Sequence, residues 1–80
     1  MMAIRYRIVA HANLRHYLPG AKEAAGLEAK RPLSVQALLK RLKIPQSEVM
    51  AVAVDGEAVK LDRVLKESCA VEIFPVLSGG

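Results

Sequence analysis

A single cysteine, Cys69, excludes an intrachain disulfide, and tryptophan is absent. Both shortages matter in a chain of 80 residues. A domain this small buries a thin core and often needs a disulfide or a metal to hold it. Tyr6, Tyr17 and Phe74 are the only aromatic residues, so the core must be aliphatic. The same scarcity removes the stacking platform that nucleic-acid bases use. No apolar run approaches the ~20 residues that span a bilayer. The opening Met1-Met2-Ala3-Ile4-Arg5-Tyr6-Arg7 alternates apolar residues with arginine and does not read as a secretory signal. The expectation is a soluble, cytoplasmic protein in a reducing compartment, with no membrane partner.

What is present suits one folded domain: 52% of the residues are hydrophobic and 25% charged, which is not a disordered composition. The net charge of +4 is spread from Arg5 to Lys66 with acids between. Its densest run, Lys40-Arg41 with Lys43, falls on one predicted helix and reads as a solvated face. Nucleic acid is not expected as a partner; a basic surface can instead steer an acidic protein partner.

The period-two alternation of Ile4, Tyr6, Ile8 and Ala10 predicts a half-buried strand with Arg5, Arg7 and Val9 pointing outward. His11–Gly20 reads as a loop in which Leu14, Tyr17 and Leu18 form one short helical turn, and Pro19-Gly20 breaks the chain. Residues 26–30 predict a second strand, hairpinned onto the first. Ser34 is a good helix N-cap. Val35, Leu38, Leu39 and Leu42 follow at the spacing of one apolar helical stripe. Pro45 is expected to stop that helix after about ten residues, because proline pushes its predecessor out of the α region. Val49–Val54 predicts a buried strand. Asp55-Gly56 predicts a type I′ turn and Glu57–Lys60 the return strand. Leu61, Val64 and Leu65 read as an apolar turn region. Ala70–Pro75 is the last strand, with Val71 and Ile73 inward and Glu72 and Phe74 outward. The class is α+β, with one helix on one face of a mixed sheet.

Several side chains that could carry chemistry read more simply as structure. Cys69 is a small apolar residue near a strand start, with nothing nearby to depress its pKa. His11 and His16 lack metal-ligand spacing, so no metal is expected. Asp55 and Glu57 flank a glycine and read as turn chemistry. No nucleophile-base arrangement and no phosphate-cradling loop occur, so the chain is not expected to be an enzyme by itself.

The chain ends on Val71-Glu72-Ile73-Phe74-Pro75-Val76-Leu77-Ser78-Gly79-Gly80. This ending resembles that of the MoaD/ThiS sulfur carrier proteins: a strand, Phe-Pro, a short apolar spacer, a small residue and a diglycine. The helix start Ser34-Val35-Gln36-Ala37-Leu38-Leu39 and the turn Asp55-Gly56 also fall where that family has them. The resemblance covers nearly the whole chain and is nearest to MoaD, the small subunit of molybdopterin synthase. It implies a ubiquitin-like β-grasp of four to five strands over residues 1–76 and a flexible C-terminal tail over 77–80. It implies that an E1-like adenylyltransferase uses ATP to adenylate the Gly80 carboxylate, which becomes a thiocarboxylate that donates sulfur, with no cofactor bound to the chain itself. Leu77, Ser78 and Gly79 would thread the partner's channel, since residues without bulky side chains enter narrow passages. Phe74, with Val9 and Val59, would form the docking patch. The pathway implied is molybdopterin (molybdenum or tungsten cofactor) synthesis, with the synthase large subunit as a further partner. Thiamine-thiazole synthesis, tRNA thiolation and a ubiquitin-like interaction or conjugation module are alternatives.

Overall fold

The computed structural model describes residues 3–18, 20 and 24–76. The expected tail, Leu77–Gly80, lies outside the described residues. Strand β1 (Ile4–Ala10) pairs antiparallel with β2 (Ala24–Ala29) and parallel with β7 (Cys69–Pro75). On the far side of β7, β4 (Val49–Val54) pairs antiparallel, and β5 (Glu57–Val59) closes the sheet. The order is β2-β1-β7-β4-β5. The single α-helix among the described residues, α1 (Val35–Leu42), packs on one face of this mixed sheet. That arrangement is the β-grasp expected from the sequence. No helix among the described residues is long and apolar enough to cross a membrane.

The core follows the alternation of the strands and the stripe of the helix. Tyr6, Ile8 and Ala10 of β1 meet Val71 and Ile73 of β7, and Val35, Leu38 and Leu39 of α1 cover them. Leu14 and Leu18 seal one end from a 3-10 turn over Ala12–Tyr17, which is the short helical turn the sequence suggested.

Helix α1 begins with its orphan amides satisfied. The Ala37 N–H donates to Ser34 Oγ at 3.0 Å. The Val35 and Gln36 N–H groups donate to the carbonyls of Arg63 and Leu61, both at 2.9 Å. Such partners answer for groups that a helix start leaves open. The helix is shorter than expected. It stops at Leu42 because Lys43 turns left-handed at φ 61°, two positions ahead of Pro45. The Ile44 N–H reaches back to the Leu39 carbonyl, closing the C-terminal motif that usually carries glycine. A side chain at that φ costs about 1 kcal/mol. Lys43→Gly is therefore expected to stabilise the domain by about 0.5–1 kcal/mol, read as a higher urea midpoint. An unchanged midpoint would show that the lost lysine charge at the helix end offsets the gain.

Three other expectations are corrected. Strand β2 starts at Ala24, not Gly26, and ends at Ala29, because Ala24 and Ala25 pair with Val9 and Ile8. Tertiary pairing overrides the helix preference of alanine. Strand β4 is not a strand buried on both faces: Val52 alone is buried, and Met50 is 61% exposed. The register jumps there, Val49 opposing Pro75 and Ala51 opposing Phe74, which leaves Met50 as the extra residue of a β-bulge. Finally, the segment read as an apolar turn holds β6 (Val64–Leu65), paired with β3 (Leu33–Ser34) in a separate small sheet. Asp55 and Gly56 sit at φ 49° and 86°, the two positive angles that a type I′ turn requires.

Candidate partner-docking face and tail root

The sheet face away from α1 is the candidate site, and β7 is its middle. Alternation turns Glu72 and Phe74 to this face while Val71, Ile73 and Pro75 turn inward. Phe74 is half-buried, and its cover is His11. The imidazole stacks on the Phe74 ring with centroids 4.6 Å apart and planes 11° from parallel. Its Nε2 lies 3.0 Å from Glu72 Oε2, and the His11 backbone N–H donates to the Ile73 carbonyl at 3.0 Å. The parallel register that sets Ala10 beside Ile73 brings the next residue, His11, beside Phe74. Sequence reasoning missed this contact because it follows only once β7 is known to run parallel to β1.

Val9 lies opposite Glu72, so it shares the outer face with Phe74. Val59 does not. It pairs with Val52, which pairs with Ile73, and it packs against the core. The turn at Asp55-Gly56 fixes that parity, and a one-residue difference in a strand moves a side chain to the other face. Ala51, opposite Phe74, and Ala53 and Ala58, opposite one another, occupy the outer face instead. The patch is thus Phe74 and Val9 on a floor of small residues. Arg5 on the same face pairs with Glu28, Nε to Oε1 at 3.1 Å. Arg7 stands between Gly26 and Ala70 with no ion pair among the described residues.

The tail calls, Leu77, Ser78, Gly79 and Gly80, fall outside the described residues, but its root is described. The Val76 N–H donates to the Glu48 carbonyl at 3.0 Å. The Glu48 carboxylate in turn accepts from the Tyr17 hydroxyl, and this hydrogen bond raises the Tyr17 pKa, with burial and the charge of Glu48 adding to it. The chain therefore leaves the sheet tied to the 3-10 turn Gln46–Glu48.

The remaining candidates have structural partners. Cys69 is half-buried, and its thiol is pushed up by burial and then by the charge of Asp55, which lowers its thiolate fraction. Asp55 Oδ1 accepts from the Ala70 N–H at 3.0 Å, and its own N–H donates to the Ala70 carbonyl at 2.9 Å, tying the hairpin to β7. Glu57 and His16 are exposed. Among the described residues no three His, Cys, Asp or Glu side chains gather as a metal would need.

A family model described as the ThiS family matches residues 16–80. The curated proteins give no match. Solved structures share the fold. A putative molybdopterin converting factor, subunit 1, from Pyrococcus furiosus superposes with a TM-score of 0.72 at 20% identity, over 92% of this chain and 99% of that one. The Haloferax volcanii HVO 2177 protein gives 0.74 at 18% identity, over 98% and 88%. The small archaeal modifier protein 1 from Methanosarcina acetivorans gives 0.68 at 19% identity, over the full length of both chains.

Proposed function

We propose a function from one premise: the chain belongs to the ThiS family, one of small ubiquitin-like sulfur carriers and modifiers. On this reading the Gly80 carboxylate is the reacting group. A carboxylate is a poor electrophile. An E1-like partner activates it by letting a carboxylate oxygen attack the α-phosphorus of ATP, which expels pyrophosphate and leaves an acyl-adenylate. A sulfur nucleophile then displaces AMP, and the Gly80 thiocarboxylate carries the sulfur to its acceptor. The acceptor pathway proposed is molybdopterin synthesis, with a synthase large subunit as the second partner. The likeness to a putative molybdopterin converting factor subunit supports that choice. The chain supplies the substrate carboxylate, and its partners supply the catalysis.

The observation that carries the reading is the diglycine itself, included in the family match and following strand β7 in the sequence. Lacking Cβ atoms, Gly79 and Gly80 fit a channel too narrow for other residues. The test is the intact mass after incubation with ATP, sulfide and the E1-like adenylyltransferase of the same organism. The expected gain is that of one oxygen replaced by sulfur, mapped to Gly80. No gain would remove the carrier reading.

Phe74 is the proposed docking anchor, with Val9 beside it. Burying a large aromatic at the centre of an interface typically carries about 2 kcal/mol. Phe74→Ala should therefore weaken binding of that adenylyltransferase roughly 30-fold by calorimetry. Affinity equal to the parent chain would move the anchor elsewhere on the face.

A further inference from the structure

The positive excess of this chain is segregated. Residues 29–47 hold Lys30, Arg31, Lys40, Arg41 and Lys43 and no acid, so the rest of the sequence carries seven basic residues against eight acidic ones. The fold gathers three of these cations around one open cleft of about 610 Å³. Lys30 and Arg31 come from the turn that leaves β2, and Arg41 from the last turn of α1. Ala3, Ala29 and Leu33 form apolar walls. The one carboxylate in the lining, Glu28, is already engaged by Arg5 at 3.1 Å. None of the three cations makes an ion pair among the described residues. Like charges crowded into a cleft repel one another and concentrate a positive field at its mouth.

The cleft lies at the end of the sheet away from Phe74 and Val76, and touches the outer face only at Glu28. Ala3 precedes the start of β1, and β7 runs parallel to β1. The chain thus leaves β7 at the opposite end of the sheet.

We infer that this cleft binds a small organic ligand through a phosphate group carrying two or more negative charges. Guanidinium forks match phosphate oxygens in pairs. Three cations exceed what one carboxylate would balance, whereas a polyvalent phosphate balances them. Ala3, Ala29 and Leu33 offer contact to the ligand's body, and the volume lies within the ~300–1,000 Å³ of ligand sites. A single-stranded nucleic acid could present the same phosphates, but it needs aromatic side chains to stack on. Tyr6 is buried, and Tyr17 and Phe74 lie toward the tail end of the sheet.

The experiment is an NMR titration of the isotope-labelled full chain with pyrophosphate, against chloride at matched ionic strength. It involves neither Gly80 nor an activating partner, so it stands apart from the carrier reading. Saturable shifts are expected at the amides of residues 28–31, 33 and 41. The Arg31→Gln/Arg41→Gln variant should bind at least about tenfold more weakly, with Arg31→Lys/Arg41→Lys between it and the parent. Relief of repulsion should leave the glutamine variant's urea midpoint equal or higher, which separates lost binding from lost folding. Lys60→Gln/Lys66→Gln, away from the cleft, should bind as the parent does. The inference is overturned if chloride reproduces the shifts, if they do not saturate, or if the distant lysine variant weakens binding equally. Tighter binding of a short single-stranded oligonucleotide at the same amides would overturn the small-ligand assignment.

Discussion

Deletion of Gly80 is expected to abolish the sulfur-for-oxygen mass gain completely while moving the unfolding free energy by less than about 0.5 kcal/mol. The deletion leaves a carboxylate, now on Gly79, so the chemical group survives and only its reach changes. One extended residue is about 3.3–3.6 Å. A misplacement of about 1 Å in a reacting pair can already cost on the order of 100-fold. The folded domain is not expected to register the loss, because among the described residues the sheet and its core end at Pro75. Intact mass and urea unfolding, run on the same sample, give both halves of the result. Undiminished gain relocated to Gly79 would show that the partner reads the tail loosely, and it would sink the claim that Gly80 is the reacting residue.

Tyr6→Phe should destabilise the domain by about 2–4 kcal/mol, a large share of the ~5–15 kcal/mol that holds such a fold. The Tyr6 ring is 1% exposed. Its hydroxyl donates to the Leu65 carbonyl at 2.6 Å and accepts from the Leu33 N–H at 3.1 Å. One oxygen thereby fastens β1 to both strands of the small sheet, β3 and β6. Phenylalanine keeps the packing and removes both bonds, leaving a carbonyl and an amide unpaired at about 1–3 kcal/mol each. Urea denaturation with an unchanged m-value measures it. A loss below about 0.5 kcal/mol would mean that water replaces the hydroxyl and that the small sheet is held by other contacts.

This clasp was not legible in the sequence. The pattern of β1 placed Tyr6 inward, and the structure agrees. Nothing in residues 61–65 announces that two residues there will pair with Leu33-Ser34, since a two-residue strand has no period to detect. The stripe of α1, its Ser34 cap and the Asp55-Gly56 turn were legible because each is local: two to eight residues carry the whole signal. The helix end was misplaced because lysine seldom takes the left-handed position that Lys43 holds. Within the candidate site, Phe74 and Val9 were legible by alternation along their own strands. Val59 was not, because its face depends on registry across three strands. The His11 stack depends on a parallel partner strand whose Glu72 lies 61 residues from His11, a span no short window on the sequence contains.

That parallel pairing also bears on how the molecule comes into being. Strand β7, the last of the described elements along the chain, lies between β1, the first of them, and β4. A growing chain holds α1 and both hairpins before it holds the strand that joins them, so the sheet cannot close until synthesis reaches Pro75. Contacts this distant in sequence make folding slower than local ones would. They also act as a checkpoint. A chain broken off before residue 69 lacks the central strand and leaves β2-β1 and β4-β5 as two half-sheets with open edges. Completion of β7 and closure of the five-stranded sheet are thus one event.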